Sequence, residues 1–149
     1  MLKGIDHRLN ADVLGTLRAM GHGDYLIVSD TNFPADTIAR ATTLGKLLRM
    51  ENLSAAETVN AILSVMPLDT FVDDFAGRMR VGDDANDIPP VQAEVAAEIA
   101  AAGESRKMEV IERFAFYDLA KGAYAVVQSG ERRFYGCFML RKGVIPPAE

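Results

Sequence analysis

A short apolar segment near the amino terminus separates a histidine from an aspartate. Gly21-His22-Gly23 precedes this segment, and Asp30 follows it. The centre of the segment, Leu26-Ile27-Val28, is too short for a helix core and is typical of a buried strand over Tyr25–Ser29. Because an extended residue advances about 3.3 Å, such a strand keeps the histidine and the aspartate at its opposite ends. Their side chains can reach one pocket only if the glycines fold His22 back along the sheet or a second subunit intervenes.

Helical and strand patterns alternate along the rest of the chain. One predicted helix follows an Asn10 cap and ends before Gly21, and another follows a Ser54–Glu57 capping box and ends before Pro67. Further helices are predicted over 35–41, 91–102 and 113–121. Further strands are predicted near 47–50 and over 107–111, 123–128 and 134–140, with an extended segment over 71–81. The glycine-containing segment 129–132 permits a hairpin between the last two strands. These elements predict an α/β fold, a layered domain over 1–149 with helices flanking a mixed β-sheet.

Composition and charge exclude several classes of partner. The chain has 16 basic and 21 acidic side chains and a net charge of −5, whereas a nucleic-acid-binding protein needs a positive face. Cys137 is the single cysteine, so no internal disulfide can form, and two histidines make a zinc site unexpected. No apolar run resembles a signal peptide or reaches the ~20 residues that span a bilayer. We therefore expect a cytoplasmic protein without nucleic-acid or membrane partners.

His22 and Asp30 are the first candidates for a functional role. An imidazole titrates near pH ~6.5 and is a natural proton carrier at neutral pH, although a loop histidine can also simply bond to nearby backbone. Asp30 follows a predicted buried strand, where α/β sheets commonly place a ligand crevice. An aspartate there can equally bond only to the backbone of its own turn.

Arg113 and Tyr135 are further candidates from the last third of the chain. Arg113 heads a predicted helix and offers fixed donors to ligand hydroxyls, or takes part in an ordinary salt bridge. Tyr135 lies in the predicted strand 134–140, where alternation would place it on one face with Cys137. Its hydroxyl can bind a ligand or only cap a core ring.

Several motifs in one order carry a resemblance to a known family. They are Met20-Gly21-His22-Gly23-Asp24, Ser29-Asp30-x-x-Phe33-Pro34, Arg113–Tyr117, Gly130-Glu131, Tyr135-Gly136 and Leu140–Val144. Together they resemble the RbsD/FucU family of sugar mutarotases over nearly the whole chain. The Arg113–Tyr117 motif is similar to the fucose branch rather than the ribose branch.

The resemblance implies an isomerase of the racemase/epimerase class that interconverts the α and β anomers of free L-fucose, with no metal or cofactor. It implies catalytic roles for His22, Asp30 and Tyr135, and substrate-binding roles for the residues Arg113, Asp69 and Cys137. Our own hypothesis is that Asp30 fixes the tautomer of His22. The Asp69 match, in Leu-Asp-Thr-Phe, is short. Family members form ring-shaped decamers with sites between subunits, so a homo-oligomer is expected here.

One position departs from the family pattern. The family usually has Tyr-Gly-Asn where this chain has Tyr135-Gly136-Cys137, and a thiol is a poor substitute for an amide that donates and accepts. This thiol keeps open the hypothesis of a sugar-binding or transport-associated protein without turnover. Two further hypotheses are a D-ribose pyranase and an oligomer in which these motifs serve packing alone.

Overall fold

Six strands form one mixed sheet in the computed structural model of the chain, which describes residues 1–148. The strands are β1 (Tyr25–Ser29), β2 (Leu48–Met50), β3 (Ala76–Met79), β4 (Glu109–Ile111), β5 (Ala125–Ser129) and β6 (Phe138–Arg141). The helices are α1 (Ala11–Ala19), α2 (Ala35–Ala39), α3 (Ala55–Leu63), α4 (Pro90–Ala101) and α5 (Arg113–Lys121). The predicted α/β fold with a mixed sheet and flanking helices is confirmed.

Strand β1 is one of the two central strands of the sheet, whose order is β2-β5-β1-β6-β3-β4. It pairs in parallel with β5 and antiparallel with β6. Successive side chains of a strand point to opposite faces of the sheet, and β1 accordingly contributes side chains to two separate hydrophobic cores. Leu26 and Val28 join the core that also contains residues of α1, α3 and α4, whereas Ile27 joins the core that contains residues of α2 and α5.

Helix caps explain why the first and third helices begin where the sequence predicts. The Asn10 side chain accepts a hydrogen bond from the Val13 N–H at 3.0 Å. Ser54 and Glu57 form both bonds of a capping box at the start of α3. Because α1 ends at Ala19, the glycine-framed histidine lies in the loop between α1 and β1.

The predicted hairpin between the last two strands is wrong, because β1 lies between β5 and β6. After β5, Gly130 packs against the turn before α3, and its N–H donates to Leu53 O at 2.6 Å. A Cβ at Gly130 would lie 2.1 Å from Glu51 O. The chain then passes the end of β1, where Thr31 N–H donates to Glu131 O at 2.8 Å. A connection across β1, rather than a tight turn, therefore joins β5 to β6.

Strand β6 is also shorter than predicted. It begins at Phe138, so Tyr135 lies in the preceding connection with a φ of 61°. The segment 71–81 is extended in its second half only, where it forms β3. Within residues 1–148, the helices are all too short or too polar to cross a membrane.

Candidate functional site

The predicted site residues fall into two groups at opposite ends of β1. The histidine half-site consists of His22, Asp69 and Phe71 and lies beside the amino end of β1. The tyrosine half-site consists of Asp30, Arg113, Tyr117, Tyr135 and Cys137 and lies beyond the carboxyl end of β1. The fold within one chain therefore brings Asp69 to His22, and Arg113, Tyr135 and Cys137 to Asp30.

His22 contacts a buried carboxylate in the histidine half-site. Its Nε2 lies 3.1 Å from Asp69 Oδ2. The histidine side chain is 45% exposed, whereas that of Asp69 is 3% exposed. The exposed Phe71 ring stands edge-on to the imidazole with the ring centroids 5.5 Å apart. The imidazole is therefore held from one side and open to solvent on the other.

The charge of Asp69 determines the tautomer of His22. Burial raises the pKa of the Asp69 carboxyl, but hydrogen bonds from the Phe71 N–H and from His22 outweigh it, so the pKa lies below its usual value. An ionised carboxylate can only accept hydrogen bonds, so Nε2 of the neutral imidazole must carry the proton. The other ring nitrogen, Nδ1, then has a free lone pair that can accept a proton from a ligand.

The last residue of β6, Arg141, and the residue after it, Lys142, join the two parts of the histidine half-site. On one side, Gly23 N–H donates to Lys142 O at 2.9 Å and Lys142 N–H donates to Asp24 O at 2.8 Å. On the other side, Asp69 N–H donates to Arg141 O at 3.0 Å. The backbone of these two residues therefore lies between the histidine loop and the segment that carries Asp69.

The side chains of the same two residues strengthen this connection. Arg141 Nη1 donates to Gly23 O at 2.9 Å, and its Nη2 donates to Asp74 Oδ2 at 2.7 Å. Lys142 Nζ donates to the carbonyls of Leu17 and Met20 at the end of α1. Lys142 thus fixes the end of α1, and Arg141 connects the histidine loop to Asp74.

The tyrosine half-site surrounds a cavity of about 220 Å³. Its lining combines Asp30 with aromatic, thioether, guanidinium and thiol groups. Asp30 itself is 4% exposed, and its carboxylate already accepts several hydrogen bonds. Oδ1 accepts the N–H groups of Asn32 and Phe33 at 3.0 and 2.9 Å, and Oδ2 accepts the Gly136 N–H at 3.1 Å. Asp30 thus bonds the backbone of its own turn, as the simpler sequence interpretation expected, and also a distant loop.

Arg113 lies at the exposed rim of this cavity. Its Nε donates to the Tyr117 hydroxyl at 3.1 Å. Its guanidinium carbon lies 5.4 Å from the Phe114 ring centroid and 5.5 Å from that of Tyr117. Sequence reasoning missed the contribution of Tyr117, although its spacing of four residues from Arg113 on one helix was a usable signal.

Cys137 is a buried thiol beside a carboxylate. The residue is 2% exposed. Burial, followed by the negative charge of Asp30, raises the pKa of Cys137 well above the usual value for a thiol. The side chain is therefore protonated at neutral pH and acts as a weak donor rather than as a nucleophile.

The expected contact between Asp30 and His22 is absent within one chain, and Asp69 takes that place. The reason is geometric, because the Gly23 N–H is bonded to Lys142 beyond one end of β1, whereas Asp30 follows the other end. The glycines therefore do not fold His22 back along the sheet. Among residues 1–148, no group of three or more His, Cys, Asp and Glu side chains could hold a metal ion.

An ion pair between the buried carboxylate of Glu131 and the exposed Arg133 supports the loop that carries Tyr135. Glu131 is 4% exposed, and its carboxylate accepts hydrogen bonds from Arg133 Nε at 2.9 Å and Nη2 at 3.0 Å. Arg133 also bonds to Glu94 on α4. Hydrogen bonds from Arg133 lower the pKa of Glu131 from 4.5 to about 2, although burial opposes the change.

Acid is expected to remove the contribution of this ion pair to stability. A carboxyl with a depressed pKa in the folded state stabilises the fold fully above its unfolded pKa, and the effect disappears as the pH falls through the folded pKa. The relevant window here is pH 4.5 to about 2. The free energy of unfolding, measured with urea across this window, should therefore fall less steeply in Arg133→Met than in the wild type. Arg132→Met, at the exposed neighbouring position, should keep the wild-type slope, and equal slopes in all three proteins would contradict the assignment.

The chain matches the sequence model of a known family and is similar to proteins named as fucose mutarotases. The sequence model of the RbsD / FucU transport protein family matches residues 3–145. The chain is 37% identical over 151 residues to the fucose mutarotase of Danio rerio, with 100% of this chain and 97% of that protein covered.

Solved structures extend the likeness to the fold. The sequence of protein Atu2016, whose crystal structure is known, is 60% identical to that of this chain. The two structures superpose with a TM-score of 0.95 over 98% of this chain and 97% of that one. The fucose mutarotase of Streptococcus pneumoniae in complex with L-fucose is 34% identical with a TM-score of 0.87, over 97% of this chain and 100% of that one. Sequence and structure agree on the same family over nearly the full length, and the chain therefore belongs to the RbsD/FucU family.

Proposed function

We propose that this protein is an L-fucose mutarotase, an isomerase that interconverts the α and β anomers of the free sugar. The observation that carries the proposal is the half-exposed His22 imidazole, oriented by the buried Asp69 carboxylate. The similarity to a mutarotase solved with L-fucose bound supports the choice of sugar.

The reaction needs proton transfers at two oxygens of the sugar. A base removes the proton of the anomeric hydroxyl while an acid protonates the ring oxygen, and the bond between C1 and the ring oxygen breaks. Rotation about C1–C2 exposes the other face of the aldehyde, and the same steps in reverse close the ring. In our proposal, His22 Nδ1 exchanges a proton at one of these oxygens. Each group regains its starting protonation state after a cycle, so no external acid or base is consumed.

The other groups are proposed to come from the tyrosine half-site. The Arg113 guanidinium and the Tyr135 hydroxyl would hold sugar hydroxyls and support the second proton transfer. Asp30 and Cys137 would shape the wall of the cavity, where Cys137 is a thiol in place of the family's amide. The cavity between these groups is small, at about 220 Å³.

We also propose that a second copy of the chain completes the site. His22 and the tyrosine half-site lie at opposite ends of β1, so one chain cannot present both to one sugar. Head-to-tail association would join one half-site to the other, and repeated contacts of this kind form a ring when the rotation between neighbouring copies closes. Exposed aromatic side chains accompany both half-sites, with Phe71 at 71%, Phe114 at 65% and Phe134 at 73% exposure. Such apolar surface suits an interface, and we propose a cytoplasmic homo-oligomer, with the decameric ring of the family as its form.

Anomer exchange by saturation-transfer NMR tests the proposal. Protein at micromolar concentration should accelerate exchange between α- and β-L-fucose above the buffer rate, and should accelerate D-ribose interconversion less. Saturation transfer from protein to fucose without faster exchange would instead support a binding protein without turnover. Light scattering tests the assembly, and a monomer would contradict the composite site.

A further inference from the structure

Tyr135 has an unusual backbone conformation. Its φ of 61° is the only positive value at a non-glycine residue within residues 1–148. A side chain is disfavoured in this region, so surrounding contacts must maintain the conformation. Such residues often lie at functional sites, which directs attention to the groups that hold Tyr135.

The peptide group between Tyr135 and Gly136 is held at both of its polar atoms. Gln92 Nε2 donates to Tyr135 O at 3.0 Å, and the Gly136 N–H donates to Asp30 Oδ2 at 3.1 Å. Because the carbonyl and the N–H belong to one planar unit, these two contacts fix its rotation about the chain. The direction of the Tyr135 side chain follows from the orientation of that peptide.

The orientation of the Gln92 amide is also determined. Its Nε2 donates to Met79 O at 2.7 Å in addition to Tyr135 O. Its Oε1 accepts from Arg78 Nη1 at 2.7 Å. A guanidinium can only donate and a backbone carbonyl can only accept, so exchanging the amide oxygen and nitrogen would break all three bonds.

Arg78 is itself immobilised. It is 5% exposed and donates to the carbonyls of Asp87 at 3.0 Å and Ala85 at 2.6 Å. Burial lowers the pKa of its guanidinium, yet the group stays positively charged at neutral pH because an arginine pKa starts above ~12. A chain of polar contacts, buried between Arg78 and Gln92 and partly buried at its two ends, therefore runs from the 85–87 loop to Tyr135.

Packing alone does not explain why the polar side chain of Gln92 is buried. It is 0% exposed, and the other buried residues of α4 are the apolar Val91, Val95 and Ile99. A buried amide is tolerated only when its hydrogen bonds are satisfied. Both the oxygen and the nitrogen of the Gln92 amide have hydrogen-bond partners. Two of the three hydrogen bonds lead to backbone carbonyls that flank the tyrosine half-site.

We propose that Gln92 is a positioning residue for the mutarotase reaction, acting through the backbone of Tyr135. This inference rests on the proposed function. Gln92 does not touch the sugar; together with Asp30 it holds the Tyr135–Gly136 peptide so that the tyrosine hydroxyl meets the substrate. Arg78 in turn fixes the Gln92 amide.

The main test replaces the amide by an apolar side chain of similar length, Gln92→Met. Misplacing a reacting group by about 1 Å can lower a rate by ~10²-fold, so we expect kcat/KM for fucose exchange to fall by about that factor. The loss should largely disappear when the variant is made in a Tyr135→Phe background. Ile99→Val, a conservative change in the buried face of the same helix, should keep the wild-type rate. An equal loss with and without the tyrosine hydroxyl would overturn the proposal.

A second readout does not depend on activity. The Gly136 amide, which is bonded to Asp30, should lose at least ~10-fold of its hydrogen-exchange protection in Gln92→Met, whereas amides of β1 should change little. If wild-type protein fails to exchange fucose, the proposed function is wrong, and unchanged Gly136 protection would then separately refute the role of Gln92.

Gln92→Glu covers the case in which Gln92→Met does not fold. It keeps the shape and the bond with Arg78, but places a carboxylate oxygen against the two carbonyls. The same losses of rate and protection are expected, and wild-type values for both would overturn the proposal.

Discussion

Replacing His22 by alanine should lower the rate of fucose anomer exchange by ~10²–10⁴-fold, the usual contribution of a positioned acid–base group, and leave the fold intact. The fold should tolerate the change because the side chain is almost half exposed and makes one hydrogen bond, to Asp69. Saturation-transfer NMR measures the rate, and thermal unfolding reports on the fold. His7→Ala provides the control, since that histidine is 79% exposed. A wild-type rate in His22→Ala would remove His22 from the mechanism.

Asp69→Asn tests the pairing of His22 with Asp69 by changing the carboxylate. An amide can donate to the imidazole through its nitrogen, which allows the opposite tautomer and moves the proton from Nε2 to Nδ1. We expect a large loss of rate that adds little to that of His22→Ala in the double variant, because groups that act as a unit are not additive. Two independent losses that multiply in the double variant would contradict the pairing.

Gly143→Ala should destabilise the protein and impair catalysis together. A Cβ at this position would lie 2.4 Å from Leu68 O and 2.9 Å from Asp69 Cα, so the backbone that carries Asp69 must shift. Overpacking of this kind typically lowers the free energy of unfolding by about 1–3 kcal/mol. The shift also separates Asp69 from His22, so the exchange rate should fall even at temperatures where the variant remains folded.

The matched control for this prediction is another glycine that has space. Gly15 lies within α1, and a Cβ there would meet no atom within 4 Å. Gly15→Ala should raise the free energy of unfolding by about 0.5–1 kcal/mol because alanine loses less backbone entropy in a helix. Urea denaturation compares the two variants. If Gly143→Ala matched Gly15→Ala in stability and in rate, close backbone packing at Gly143 would be disproved.

Local sequence signals predicted the elements that depend on local chemistry. The Asn10 and Ser54 caps located α1 and α3, and the predicted spans of β1 and α5 agree with the structure. Strand pairing was harder, because a glycine between two strand patterns favours a hairpin whatever the rest of the chain does. Gly130 is instead needed for close packing against Glu51, a contact between segments far apart in the sequence.

The candidate site also combines residues that local sequence signals identified with contacts that they could not predict. The His22 loop and the Asp30 turn were recognisable from nearby glycines and the strand between them. The contact of His22 with Asp69 spans 47 residues and depends on Arg141 and Lys142 at the end of β6, which lie between their two loops. Gln92 gave no signal, because a polar residue in an alanine-rich helix is usually exposed, and only the packed structure places it beside Tyr135.

The position of β1 has a consequence for mixtures of defective chains. In the proposed assembly every chain contributes to two different sites, one at each end of this strand. A chain without the His22 imidazole still lends an intact tyrosine half-site to a neighbour, and a chain damaged at Tyr135 still lends its histidine. Two inactive preparations that exchange subunits would thus restore some working sites, and dilution below the dissociation constant of the assembly would abolish them by mass action. The unit of activity is then the contact between chains.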